Sequence, residues 1–304
     1  MDRLDEVYRE LRPYAFAIAY RMLGSVSEAE DVVQDAFLRL HRAAPDEVVA
    51  PKAYLATVTT RLAIDALRSA RARRESYVGP WLPEPLLTDE GAGPADAAET
   101  ADSLSMAFLV VLERLSPVER AVFLLHDVFG YDYGEVAAIV DKTEANCRQL
   151  AARARRHVEQ GRPRFEASRA ARAELSARFF AAAAGGDMER LVSLLAGDAA
   201  FYGDGGEKGA GLRVPVVGGG NVARVVMGLA RRAAAMGITM RPVEINGDPG
   251  AMYLDADGGL ISLLSLEIVD GRARTIRGFV NPDKIAHLGR LSPLGRRATR
   301  ADWA

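Results

Sequence analysis

The side chains best placed to do chemistry in this chain are ones that read or grip nucleic acid, and they come in blocks. Between Tyr133 and Val158 (YGEVAAIVDKTEANCRQLAARARRHV), Asn146, Arg148, Gln149 and Arg153 share a face opposite Cys147, Leu150 and Ala151. Arginine bonds a guanine edge through two N–H groups, and Asn or Gln does the same for adenine, while Lys142 and Arg155 suit phosphate. A second block, Arg68-Ser-Ala-Arg-Ala-Arg-Arg74, has Tyr54 upstream and Tyr77 and Trp81 just after it. Arginines beside aromatics can hold a backbone and stack on unpaired bases. A third pattern is acidic and polar: Asp31, Gln34, Asp35 and Leu38 fall at i, i+3, i+4 and i+7, with Arg39 at the edge. Each block has a plain alternative. The first fits a solvated helix at the end of a bundle, the second a core Tyr54 and Leu55 followed by a solvated helix end, the third an ordinary solvated face.

The elements that must position these residues are mostly helices. From Leu4 to Leu67 apolar residues recur at helical spacing, broken at Gly24-Ser25. Ser27 and Glu30 have the spacing of a capping box for a helix running to about His41, with Val33, Phe37 and Leu40 on its inner face. Pro51 suits the first turn of a third helix, from about Lys52 to Arg74. Trp81-Leu-Pro-Glu-Pro85 cannot be helical, and the Gly-, Ala- and acid-rich segment after it reads as a linker. Helical patterning resumes at Ser103. In the Tyr133–Val158 block a short helix ends at the Asp141-Lys142 turn, and Thr143 caps the next, which is helix-turn-helix logic.

Past Gly161-Arg-Pro163 the pattern changes. Helices at 167–184, 188–195 and 222–236 accompany strand-like runs at 238–245, 251–254, 260–269 and 272–280, with turns at Asn246-Gly247, Asp257-Gly258-Gly259 and Asp270-Gly271. The expectation is a multidomain chain: two all-α modules, then an α+β domain with a curved antiparallel sheet. The boundaries expected are 1–80 and 104–160 for the helical modules, 81–103 for the linker, 165–290 for the α+β domain and 291–304 for a basic tail.

The chain has 304 residues, 49% hydrophobic and 26% charged, within the range of ordinary globular proteins. Its net charge of −2 hides segregation into the basic blocks above and an acidic stretch from Thr88 to Asp102 that lacks Lys and Arg. One cysteine, Cys147, excludes an internal disulfide, no apolar run is long enough for a bilayer, and the N-terminus opens on charge rather than a signal peptide. The cytosol is the expected compartment. No metal motif or cofactor motif is present, so none is expected.

Taken together, these segments resemble the sigma-70 family of bacterial RNA polymerase subunits. Tyr20–Leu40 (YRMLGSVSEAEDVVQDAFLRL) is similar to the polymerase-binding helices of region 2, Lys52–Arg74 to the adjoining −10-reading part, and Leu112–Val158 to region 4, which binds the −35 element. The lack of counterparts to regions 1.1 and 3 matches the extracytoplasmic-function group. Trp81-Leu82-Pro83-Glu84-Pro85, Asp204-Gly205-Gly206-Glu207-Lys208 and Asn281-Pro282-Asp283-Lys284-Ile285 are similar to three motifs of a subgroup with a C-terminal SnoaL-like (NTF2-like) domain. Two departures are visible: Thr59-Thr60-Arg61 stands where general members tend to have Ala-Arg-Asn, and Glu207 where the subgroup usually has a third glycine.

The resemblance implies that Asp31, Gln34, Asp35, Leu38 and Arg39 meet the β′ clamp helices of core polymerase, with region 4 on the β flap. It implies that Arg61, Arg68, Arg71 and Arg73 serve the −10 element, Asp65 ordering their helix and the 42–49 loop taking a flipped base. Arg148, Gln149 and Arg153 would read −35 DNA, with Lys142, Thr143, Asn146 and Arg155 in support. The free protein would be a monomer that does not enter membranes. The SnoaL-like domain would act in cis in place of a separate anti-sigma factor: Trp81 and Leu82, stiffened by Pro80, Pro83 and Pro85, would dock near Asp204, Gly205, Gly206, Lys208 and Asn281, Pro282, Asp283, Lys284, rather than merely covering the region 2 core.

Catalysis is not expected. The one histidine after Gly161 is His287, past the sheet, Asp204 reads as part of a mobile glycine loop, and Asp255 and Asp257 as turn residues. A pocket for a small-molecule ligand stays open beside a protein-interaction role. Two rivals remain: a one-component transcription factor, which leaves the clamp-binding and basic helices unexplained, and a DNA-tethered cyclase or isomerase.

Overall fold

The computed structural model describes residues 3–43, 48, 50–88, 104–159, 168–209 and 211–297, with the side chains of 3–5, 70–75 and 296–297 outside that description. Two compact units emerge. One contains residues 1–76 and 107–162, the other 77–106 and 163–304. The segment expected to be a free linker thus groups with the C-terminal domain over its described parts.

The first unit is helical. α1 (Arg3–Leu23), α2 (Val26–Arg42) and α3 (Pro51–Glu75) form a triplet. α1 stops where Gly24 takes a positive φ of 64°. The cap of α2 differs from expectation: Ser25, not Ser27, is the N-cap and accepts from the Glu28 amide, because the helix begins two residues earlier. Glu30 instead accepts from Arg12 at 2.6 Å. Ala36, Leu40 and Leu55 anchor a cluster on which Phe37, Tyr54 and Leu62 pack. Tyr54 is therefore half-buried, packed against this cluster.

α4 (Met106–Leu112), α5 (Pro117–Phe123), a π-helical turn (Leu124–Val128), α6 (Tyr133–Val140) and α7 (Glu144–Glu159) follow. Capping boxes start α5 at Ser116 with Glu119 and α6 at Asp132 with Glu135. Asp141 ends α6 in the left-handed region at φ 54°, and the Asn146 amide donates to Thr143 Oγ1 at 3.3 Å to start α7. Arg120, almost wholly buried, ties the two helical sets by donating to the Met22 and Leu112 carbonyls at 2.6 and 2.9 Å and to Glu113 at 2.8 Å. Tyr14 and Tyr131 hydroxyls meet at 2.5 Å in the same unit.

The second unit is an α+β domain. α8 (Arg169–Gly185), α9 (Met188–Leu194) and α10 (Gly219–Ala235) pack on six strands, β1 (Leu195–Asp204), β2 (Val216–Val217), β3 (Thr239–Ile245), β4 (Asp248–Leu254), β5 (Leu260–Val269) and β6 (Arg272–Phe279). The order is β2-β1-β6-β5-β4-β3. Register shifts in β1, β4 and β5 bend the sheet. The expected all-antiparallel sheet needs correction: β1 and β6 run parallel, since the chain crosses over through β2, α10 and β3, β4 and β5 between them. Phe179, Phe201, Leu266 and Ile276 belong to the core that fills the concave face. The domain also runs past residue 290: Leu291 bridges Leu260, and α12 (Pro293–Arg297) packs on β5. Its preceding helix, α11 (Pro282–Ile285), is a single turn.

Candidate functional site

The parallel pairing of β1 with β6 sets Asp204 opposite Phe279, so the glycine loop and the Asn281–Ile285 segment leave the sheet side by side. Asp204 is 0% exposed. Its main-chain oxygen accepts from the Val280 and Asn281 amides at 2.9 and 3.0 Å. Its carboxylate accepts from the Tyr77 hydroxyl, from the Leu82 amide at 2.8 Å and from Lys284 Nζ at 2.6 Å. The expectation of a mobile Asp204 is thus corrected: it closes β1 and is fixed by donors on every side. It also makes a poor general base, being already ion-paired and sealed from water.

Lys284 donates to the Leu82 carbonyl as well, and its ammonium lies 4.7 Å from the Tyr77 ring centroid and 4.3 Å from that of Trp81. A buried ammonium of this kind is tolerable only when its donors and charge all find partners. Asn281 caps α11 with Oδ1 and donates to the Tyr77 hydroxyl from Nδ2 at 2.9 Å. Burial, and then the adjacent Asp204 carboxylate, push the Tyr77 hydroxyl far above the ordinary phenol range, so it remains a donor throughout the physiological range. Leu82, Pro83, Glu84 and Pro85 are buried, Trp81 half-buried, and His287 Nε2 bonds the Pro85 carbonyl at 2.8 Å.

The glycine loop is built for this closeness. Gly206 has φ 55°, and a Cβ there would lie 2.6 Å from Asn281 Nδ2 and 2.9 Å from the Tyr77 hydroxyl. Glu207 is exposed and has no positive φ, so the departure from glycine at that position costs the loop nothing in backbone strain. Lys208 and Asp283 pair at 2.9 Å on the exposed rim, while Gly205 and Pro282 complete the two turns.

A second hold on the linker was not foreseen. Leu87 bridges Ile245 and the Thr88 amide donates to the Glu244 carbonyl at 3.0 Å, so the linker pairs with the β3 edge at one isolated bridge. Asn246, fully buried, accepts from the Leu86 amide at 2.8 Å and donates to the Leu104 carbonyl at 2.9 Å. One asparagine therefore holds the linker on both sides of 89–103, which lies outside the described residues.

In the helical unit Asp31, Gln34, Asp35, Leu38 and Arg39 share an exposed face of α2, Leu38 at 44% exposure and Arg39 3.4 Å from Asp35. Thr143, Asn146, Arg148, Gln149 and Arg153 are exposed on α7, and Lys142 on the turn before it, with Arg148 paired to Glu144 at 2.6 Å. Two of the residues expected to contact DNA hold partners within the chain in this structure. Arg155 is engaged by Asp127 at 2.6 Å and the Tyr133 hydroxyl at 3.2 Å, because its position on α7 turns it toward the π-helical turn. Arg61, itself exposed, donates to the Ile139 and Ala138 carbonyls at 2.8 and 2.9 Å, satisfying the open end of α6. Thr59 and Thr60 are fully buried, so that departure from the family pattern faces the core. Asp65 and Arg68 pair at 3.1 Å on the exposed face of α3. The side chains of Arg71 and Arg73, and most of the 42–49 loop, lie outside the described residues.

Residues 7–73 match the family described as Sigma-70 region 2, and residues 105–158 that described as Sigma-70, region 4. Two helical regions with these signatures define an RNA polymerase sigma factor of the sigma-70 class, a transcription initiation factor that binds core polymerase and promoter DNA and is not an enzyme. The chain is 38% identical over 302 residues to the ECF RNA polymerase sigma factor SigJ of Mycobacterium tuberculosis, spanning 95% of this chain and 94% of that one. It is 32% identical over 286 residues to the probable ECF RNA polymerase sigma factor SigI of the same species, spanning 93% and 95%. The crystal structure of the M. tuberculosis SigJ protein matches with a TM-score of 0.74 at 35% identity, over 94% of this chain and 98% of that one. The chain belongs to the extracytoplasmic-function sigma factors, with a SnoaL-like C-terminal domain.

Proposed function

We propose that the SnoaL-like domain controls this sigma factor in cis by gripping the linker between regions 2 and 4. The buried Lys284–Asp204 pair closing on both backbone groups of Leu82 carries this reading. Regions 2 and 4 must span the −10 and −35 elements, and the covalent tether between them is the segment held at Leu82 and again at Leu86–Thr88. A domain that sets the free length of that tether sets how the two DNA readers are presented. Asp31, Gln34, Asp35, Leu38 and Arg39 face the β′ clamp helices, region 4 sits on the β flap, and α7 reads −35 DNA through Arg148, Gln149 and Arg153 with Lys142, Thr143 and Asn146 in support. Arg61, Asp65, Arg68, Arg71 and Arg73 serve the −10 element, and Arg155 joins the phosphate contacts when Asp127 releases it. The free protein acts as a cytoplasmic monomer; among the described residues no helix is long and apolar enough to cross a membrane.

The test is promoter-specific transcription with purified core polymerase, comparing the natural chain with Lys284→Met. Altered output from the cognate promoter at equal core occupancy is expected. Identical output, with the linker shown to be released by amide exchange, removes the cis-control reading.

A further inference from the structure

We infer that the C-terminal domain carries a binding cleft for a small amphipathic carboxylate, with the linker as one of its walls. The cleft, about 730 Å³, lies between α8 and the β3–β4 edge, a volume suited to a ligand of one or two rings or a medium acyl chain. Its apolar surface comes from Ala177, Phe180, Pro242 and Val243, and it is rimmed by Arg169, Arg172 and Arg241.

The charge balance favours an anion. Arg169 is matched by Glu244 at 2.8 Å, and Arg172 lies 3.8 Å from Asp248. Arg241 donates to the Met252 sulfur at 3.1 Å, a weak acceptor. Among the described residues three guanidinium groups thus face two carboxylates, and the Arg172 Nε is buried with no hydrogen bond to any of them. A carboxylate head placed among them would accept from donors that now lack a full set of partners, while its apolar body covers Phe180.

The linker completes the site. Leu87 and Thr88 line the cleft, and Thr88 Oγ1 donates to the same Glu244 that holds Arg169, at 2.8 Å. A ligand that touches these two residues binds fully only while the linker is docked, so by linkage it favours the docked state. This coupling deepens the cis-control reading and rests on it for its consequence in transcription, but the binding itself does not.

The full chain is titrated by calorimetry with decanoate, 4-phenylbutyrate and decanol. The expected result is saturable one-to-one binding of at least one carboxylate, with decanol weaker by about tenfold or more. Arg172→Met should weaken the carboxylate by about tenfold or more, and Arg274→Gln, whose side chain pairs with Asp198 away from the cleft, should not. The bound form should exchange its Leu86 and Thr88 amides more slowly. Should Arg172→Met fail to fold, Arg241→Gln, at an exposed position, gives the same comparison. No saturable binding by either carboxylate up to about 5 mM, equal affinity for decanol, or full affinity in the arginine variants overturns the site. Tight binding with unchanged Leu86 and Thr88 exchange overturns the linker coupling. None of these measurements contains polymerase, so their failure leaves the Lys284→Met transcription result to be judged by itself.

Discussion

The Arg61 guanidinium closes on the Ile139 carbonyl at 2.8 Å, one arm bonding the last turn of the first helix of the helix-turn-helix and the other bonding Ala138. A residue that family resemblance assigns to −10 DNA is thereby engaged by the −35-reading module of the same unit. The same guanidinium cannot serve both partners at once. Arg61→Ala is expected to lower the stability of the helical unit by about 1–2 kcal/mol, the worth of two charge-assisted hydrogen bonds that are partly open to water. It should also reduce opening of the −10 region, read by permanganate reactivity of unpaired thymines. Unchanged opening would mean that Arg61 serves only the packed form.

The exposed stripe on α2 predicts a separation of folding from assembly. Asp31→Arg combined with Gln34→Ala changes two solvent-facing side chains, which ordinarily moves stability by less than about 0.5 kcal/mol. The thermal midpoint should hold while co-purification with core polymerase is lost. Normal recovery of core enzyme would remove this face from the interface.

On α7, Arg148→Ala or Gln149→Ala should weaken binding to the cognate −35 element by about 1–3 kcal/mol and relax the preference at one base pair. Lys142→Ala, on the turn before α7, should weaken all sequences alike and reduce the slope of affinity against salt by about one. Arg148 starts from a pair with Glu144, so part of its gain on DNA is offset by releasing that carboxylate. Fluorescence anisotropy on a set of single-base variants at two salt concentrations separates the two classes. A Lys142 effect confined to one base position would reverse the assignment.

The two helical modules and the three linker-associated motifs were legible because each rests on local pattern: apolar periodicity, caps, and short runs that a family resemblance could label. The fold of the last domain was legible in its strands and turns, including Asn246-Gly247, where positive φ values of 53° and 78° make the type of residue diagnostic. The work of Asn246 was not legible. An asparagine in a hairpin turn announces a backbone conformation, and nothing local says that its amide will face Leu86 and Leu104, which approach only after the linker has docked. His287 was set aside for lying past the sheet, yet that location is what brings it to the Pro85 carbonyl. The Arg61 contact was not legible for a related reason: nothing local to an arginine on a basic helix says that a helix end with open carbonyls is packed against it.

The buried pair at the linker yields the sharpest expectation. Asp204 and Lys284 are each below a tenth exposed, so the folded domain has already met the cost of drying both charges. Lys284→Met removes one charge and leaves a carboxylate with only the Tyr77 and Leu82 donors, which should cost about 3–5 kcal/mol. Asp204→Asn leaves the ammonium facing an amide oxygen and two aromatic rings, a milder loss of about 2–3 kcal/mol. The double variant has no stranded charge and should be more stable than the sum of the two losses implies, with a coupling of about 1–3 kcal/mol measured by denaturant unfolding of all four proteins. The Leu82 amide, which donates to Asp204 in the natural chain, should lose exchange protection in each single variant before the sheet amides do. Additive losses, with Leu82 exchanging no faster than the sheet, would mean that the pair braces the domain without holding the linker, and that control of the two DNA readers must come from elsewhere.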